Sequence, residues 1–210
     1  MFQVHVVDKA NRLAYEGYLD TYFRLRHDIY VGERGWHELR RADGKEVDAF
    51  DTCEAVYLIG IDPHLGVVAG SRLISTVRPH LMSEVFPGLA DGAVPRRDDT
   101  FEWTRFFVVR ALREAGRPCR AAGVLYCAVQ EYGLLRGIRH VTVVCEDYWQ
   151  RRFQSIGWNP RRLGMPLPHD GTSLVGLMLD ISASALRATR DAYEIADTVL
   201  GTAAPHFAQD

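Results

Sequence analysis

Two apolar runs in this chain, residues 67–76 (VVAGSRLIST) and 101–109 (FEWTRFFVV), have the length and composition of buried strands. Yet the first holds Arg72 and the second Glu102 and Arg105. A charge taken out of water is costly unless it is paired, so the fold must bring partners to these strands from elsewhere. Asp48 and Asp51, three apart in EVDAFD (residues 46–51), are candidates, and so is Arg26, which shares a helix face with Tyr30 at i and i+4. The economical arrangement is three carboxylates and three guanidiniums meeting at one site. The alternative is a set of separate surface ion pairs, each worth roughly 0 to 1 kcal/mol, which suits Asp48 and Asp51 as well as the shared site does but suits charges inside apolar strands less. Glu102 and Arg105 differ by an odd number and would face opposite ways in a regular strand, which predicts a bulge or strand end near Trp103 and Thr104.

Around these runs the periodicity gives a strand at 2–7, a helix from 12 to 31, a polar loop at 33–50 with Trp36 inside it, and a hairpin of 55–61 with 67–76. A Pro- and Gly-rich loop with one short helix follows at 79–99. Then come the strand 101–109, a helix at 121–135, a strand at 140–145 and a helix at 147–156. Strands at 158–163 and 173–180 and a helix at 182–200 complete the order. This is α/β or α+β: one domain over 1–210, a mixed twisted sheet with helices on its faces, in an order that resembles the acyl-CoA N-acyltransferase (GNAT-like) architecture.

Composition narrows the function. With 210 residues, 47% apolar and a formal charge of −2, the chain lacks the basic excess of a dedicated nucleic-acid binder. The neutrality is uneven: residues 105–162 carry eleven Arg against four carboxylates, a local +7 that leaves −9 elsewhere. The four Cys form no CxxC pair and have no His at ligand spacing, so no metal is expected and the thiols read as reduced. The first residues lack the features of a signal peptide, and no run of 18 apolar residues occurs, so no membrane partner and a cytoplasmic location are expected. His5 and His140 read as structural.

Four stretches occur in order: LRHDIYVGERGW (25–36), EVDAFD (46–51), GSRL (70–73) and EWTRF (102–106). Together they make the chain resemble the LuxI-type acyl-homoserine-lactone synthases, over at least residues 20–110. Tyr30 stands where that family usually has Phe, Glu33 occupies a position often basic, and one extra residue separates Trp36 from Asp48. The resemblance implies acylation of the amino group of S-adenosylmethionine by an acyl thioester, then lactone closure with loss of methylthioadenosine, for quorum sensing. Both small molecules would be substrates, with no cofactor.

On that footing Arg26, Tyr30, Trp36, Asp48, Asp51, Arg72, Arg105 and Phe106 would form the S-adenosylmethionine site. Asp48 and Asp51 would neutralise its cations or hold the arginines, Arg26 or Arg105 would pair its carboxylate, and Trp36 would cover it. An α-amino group, with a pKa of about 7.7 or higher, must lose a proton to attack, and Glu102 or Asp48 would be the catalytic base. Thr142, Val144, Tyr148, Trp149 and Phe153 would line the acyl pocket, whose bulk favours a short, branched or aromatic acyl group. Coenzyme A is the favoured carrier, with acyl carrier protein the other possible partner, and the basic segment suits both. The other readings are an N-acyltransferase acting on a different small amine and a non-catalytic small-molecule sensor.

Overall fold

The structure, a computed structural model, describes residues 2–114 and 119–201. Arg117 of the basic segment lies outside the described residues. The chain runs β1 (Gln3–Val7), a 3-10 turn at Arg12–Tyr15, α1 (Glu16–His27), and a π-type turn at Asp28–Glu33. The hairpin β2 (Val56–Asp62) and β3 (Gly66–Ser75) leads through the one-turn α2 (Leu81–Glu84) to β4 (Thr100–Val108). Then follow α3 (Arg120–Arg136), β5 (His140–Glu146) and α4 (Trp149–Ser155). The short strands β6 (Arg161–Arg162) and β7 (Leu167–His169), then β8 (Thr172–Asp180) and α5 (Ala183–Tyr193), complete the order.

The strands form one open sheet in the order β1-β2-β3-β4-β5-β8-β6, with β7 also on β8. Every pairing is antiparallel except β4 with β5, which α3 connects as a crossover. That parallel ladder is short, spanning only Thr100–Glu102 against His140–Thr142, so the two strands part immediately beyond Glu102 and Thr142. The parting is the feature that positions the site.

The two faces of the sheet are covered differently. On one, α1 packs Tyr22 against Tyr57 and Phe107, with ring centroids 5.4 Å apart in each pair. Gly70 permits this approach, because a Cβ there would stand 2.4 Å from Tyr22 Cε2. On the other, α3 and α5 cover an apolar core that includes Leu58, Leu73, Trp103, Tyr126, Val143 and Leu177. An aromatic cluster of Trp103, Phe106, Tyr126, Phe153 and Trp158 sits at its centre.

Several expected elements differ in extent. The helix expected over 12–31 is divided into a 3-10 turn, α1 and the π-type turn. The strand expected at 158–163 is reduced to Arg161–Arg162, because Asn159 takes a left-handed conformation (φ 47°) and Pro160 has no amide to donate. The closing helix ends at Tyr193, where Glu194 turns left-handed (φ 54°), and Val199 then accepts a hydrogen bond from the Val4 amide on β1. The exposed edge strand β7, built on Leu-Pro-His, carries no apolar alternation and was not expected.

Candidate active site

The segment 46–51 folds into a tight turn that its own carboxylates stabilise. The Phe50 amide donates to Asp48 Oδ1 at 2.8 Å and the Asp48 amide to Asp51 Oδ2 at 2.9 Å, while the Glu46 amide donates to the Phe23 carbonyl at 3.0 Å. Glu46, Asp48 and Asp51 thereby aim at three guanidiniums from three elements: Arg26 of α1, Arg72 of β3 and Arg105 of β4. Arg26 grips Asp51 in bidentate fashion at 2.8 and 3.0 Å and also pairs with Glu46. Arg72 grips Asp48 at 2.6 and 3.0 Å and reaches Asp51 at 2.8 Å. Arg105 bonds Glu46 at 3.0 Å and Asp48 at 2.8 Å. Tyr57 donates its hydroxyl to Asp51 at 3.1 Å, and Thr104 accepts from Arg72 Nε at 3.2 Å.

The side chains of Arg26, Arg72 and Asp51 are wholly buried, whereas Asp48 and Arg105 keep the network's contact with solvent, at 16% and 9% exposure. Burial alone would push the Asp51 carboxyl upward, but Arg26 and Arg72 outweigh it and hold that carboxyl well below the usual range. With every carboxylate oxygen committed, the acids hold the arginines in place.

Thr104 and Arg105 reach the same face through a bulge. Across β3 and β4, Gly70 pairs with Phe107 and Arg72 with Thr104, so one extra residue is inserted in β4, and Arg105 adopts φ 53°. The irregularity expected near Trp103 and Thr104 therefore sits at Arg105, slightly further along. It turns the guanidinium to the side that carries Glu102 and Thr104, and it sends the Phe106 ring to the opposite side. Phe106 stacks there on Tyr126 at 5.2 Å, so its ring belongs to the aromatic cluster and only its carbonyl turns toward Tyr30.

Over the network lies a stack of rings. Trp36, 37% exposed, lies on Tyr30 with centroids 5.1 Å apart and planes 19° apart. The Arg34 guanidinium lies 5.3 Å from the Tyr30 ring and 5.5 Å from the Trp36 ring, and Arg105 lies 5.6 Å from the Tyr30 ring. The Tyr30 hydroxyl donates to the Phe106 carbonyl at 2.9 Å, so it ties the π-type turn to the bulge of β4. Glu33 pairs with Arg113.

Glu102 faces the same side of the sheet as Arg72 but takes no part in the ion-pair network, whose third carboxylate is Glu46. Both Glu102 oxygens accept backbone hydrogen bonds, from Leu81 at 2.8 Å and Met82 at 2.7 Å, and the residue is wholly buried. Burial raises its pKa, against the lowering influence of the Met82 and Leu81 amides, the His80 ring and the Arg72 guanidinium. It stands directly across from Thr142, at the point where β4 and β5 part.

The residues expected to line an acyl pocket do not form one wall. Thr142 and Val144 alternate onto the Glu102 face, whereas Phe153 belongs to the cluster on the other face, with Trp149 stacked on it at 5.9 Å. Tyr148 is 65% exposed at the rim of a cavity of about 510 Å³ that Arg151 and Arg162 also line. The two sets flank the parting of β4 and β5 from opposite sides. Two buried donors at the parting, Trp103 Nε1 and Thr142 Oγ1, have no hydrogen-bond partner among the described residues. Of the basic residues beyond it, Arg152 bonds the Tyr193 hydroxyl, Arg161 pairs with Asp180 at 2.8 Å and Arg162 with Asp147.

Sequence reasoning missed the roles of Glu46, Thr104 and Tyr57. The spacing EVDAFD carried a signal for Glu46, two residues before Asp48, but the Leu81 and Met82 amides leave none, because any residue supplies one. Among the described residues no three His, Cys, Asp or Glu side chains gather as a metal site requires, and no helix is long and apolar enough to cross a membrane.

Comparison with known proteins matches residues 10–189 to a family described as autoinducer synthase. An isovaleryl-homoserine lactone synthase of Bradyrhizobium diazoefficiens is 39% identical over 189 residues, 90% of this chain and 84% of that one. The solved structure of a CoA-dependent acyl-homoserine lactone synthase, BjaI, with SAM and isopentyl-CoA superposes with a TM-score of 0.89. It is 36% identical and the match covers 99% of this chain and 96% of that one. At the level of fold alone, an acyl-CoA N-acyltransferase from Pseudomonas aeruginosa superposes with a TM-score of 0.58 at 16% identity, over 85% of this chain and 99% of that one.

Proposed function

The chain belongs to the autoinducer synthase family and is an acyl-homoserine-lactone synthase, an acyltransferase, and from that premise we propose that it joins S-adenosylmethionine to a short acyl group carried by coenzyme A. The observation that carries this reading is the pre-assembled network of Arg26, Arg72 and Arg105 with Glu46, Asp48 and Asp51. It lies under the Tyr30 and Trp36 rings and on the same sheet face as Glu102. Arg26 is saturated and wholly buried, so Arg105 is the guanidinium that receives the methionyl carboxylate, and Trp36 covers the adenosyl portion. Asp48 acts through Arg72 and Arg105. Glu102, directly or through a water, takes the proton from the ammonium group, a role worth roughly 10² to 10⁴ in rate.

The freed amine attacks the thioester carbonyl, the new C–N bond forms, and the C–S bond breaks to release the coenzyme A thiol. The methionyl carboxylate then attacks its own γ-carbon, the bond to the sulfonium sulfur breaks, and neutral methylthioadenosine leaves as the lactone closes. The aromatic cluster beyond the parting of β4 and β5 supports a short or branched acyl group, and the relative whose name specifies isovaleryl points the same way. The cavity bordered by Arg151 and Arg162 suits the phosphates of the carrier.

Incubation with S-adenosylmethionine and isovaleryl-CoA, with mass spectrometry of the products, tests the proposal. Isovaleryl-homoserine lactone and methylthioadenosine in equal amounts are expected. Thiol release without methylthioadenosine would instead identify an N-acyltransferase, and binding without turnover a sensor. Faster turnover of long linear chains on acyl carrier protein would overturn the choice of donor.

A further inference from the structure

His80 is wholly buried in the turn before α2, and its side chain is engaged at one nitrogen only. Nδ1 lies 2.8 Å from the Arg78 carbonyl and 3.1 Å from Ser83 Oγ. A carbonyl only accepts, so Nδ1 carries the hydrogen and donates it. Ser83 closes the other side of the turn: the His80 amide donates to its Oγ at 3.1 Å, and that hydroxyl is 3.0 Å from the His80 carbonyl. The next two amides, Leu81 and Met82, are the ones that bind both oxygens of Glu102. His80 Nε2 has no partner among the described residues.

We propose that His80 is a positioning residue for the base: through its Nδ1–H it holds the turn whose two amides grip the Glu102 carboxylate inside the sheet. The proposal rests on the reading of Glu102 as the base. Two amides on a buried carboxylate favour its charged form, so a turn that loosens leaves Glu102 protonated to higher pH. The other groups acting on the carboxyl are Arg72 from β3, itself paired with Asp48 and Asp51, and the His80 ring, both of which favour its charged form. Glu84 is exposed on the far side of Ser83, and β5 presents only Thr142, which does not titrate in the working range.

The test compares three substitutions by pH-dependent kinetics. Asn places a donor where Nδ1 stands, Gln places its amide where Nε2 stands, and Ala places neither. His80→Ala and His80→Gln are expected to lose at least roughly tenfold in kcat, part of what a positioned base supplies, with both KM values little changed. The acid limb of kcat/KM should move to higher pH. His80→Asn should restore most of kcat, with a limb closer to that of the parent. Should His80→Ala fail to fold, the contrast between Asn and Gln decides. The proposal is overturned if Asn is as damaging as Gln, or if the limb does not move in the impaired variants. Glu102→Gln serves as the separate control: full activity in that variant would remove Glu102 as the base, whereas its inactivity beside unaffected His80 variants would remove only the role of His80.

Discussion

Arg72 announced its importance because a guanidinium in a run such as VVAGSRLIST has no other way to exist than paired, and the structure pairs it twice over. Asp51 is the residue on which two buried guanidiniums converge, so Asp51→Asn should cost about 3 to 5 kcal/mol, the usual penalty for removing one partner of a buried ion pair. Urea unfolding at neutral pH measures it. The same carboxyl predicts a pH dependence. Its folded pKa is depressed from a usual 3.8, so its stabilising contribution is complete above that value and is lost as the pH falls further toward the folded pKa. The unfolding midpoint of the parent should therefore decline on acidification below about pH 4, more steeply than that of Asp51→Asn. The Tyr30 hydroxyl makes one buried bond, to the Phe106 carbonyl. Tyr30→Phe should accordingly lose about 1 kcal/mol in the same assay. What the sequence could not disclose at this scale was the division of labour between carboxylates. Glu46 and Glu102 are both acids near a cluster of arginines, and only the packing shows that the first joins the network while the second is held by main-chain amides.

Elements were legible where periodicity was strong: the β2–β3 hairpin, β4, α3 and β5 all fall close to where the apolar patterns put them. The odd spacing of Glu102 and Arg105 pointed to an irregularity, and the bulge at Arg105 does turn both to one face, although only Arg105 joins the ion-pair network. Elements set by long-range contact were not legible, among them the edge strand β7 and the early end of α5. The packing of α3 against α5 yields a prediction at this scale. Gly123 lies inside α3, where Ala would normally be favoured by roughly 1 kcal/mol. A Cβ at Gly123 would stand 2.2 Å from Tyr193 Cγ, however, and that ring is wedged between the two helices. Gly123→Ala should thus lower the thermal midpoint, by an amount corresponding to about 1 to 3 kcal/mol of overpacking.

For the whole molecule, the sheet serves as a divider with different chemistry on its two sides. The ion-pair network and a cluster of aromatic rings lie under α1 and the segment before β2, the larger apolar core lies under α3, and between them β4 and β5 separate beyond Glu102 and Thr142. In the proposed reaction the amine and the acyl group would meet there, where Glu102 and Thr142 stand across from one another. Enlarging the far side should lengthen what it accepts: Phe153→Ala is expected to shift preference from isovaleryl-CoA toward longer acyl-CoA substrates in competition assays read by mass spectrometry.

The matched set of three guanidiniums and three carboxylates has a consequence for how the two reactants arrive. Seen from beyond a Debye length, roughly 10 Å at 0.1 M salt, these six charges sum to nothing and exert almost no pull on an approaching sulfonium. The cavity on the other side, by contrast, presents the exposed guanidiniums of Arg151 and Arg162, which draw in a polyanion such as a coenzyme A thioester. Capture of the two substrates should therefore respond differently to ionic strength. Between about 0.05 and 0.5 M salt, the KM for S-adenosylmethionine should stay within roughly twofold, while that for the acyl-CoA climbs several-fold.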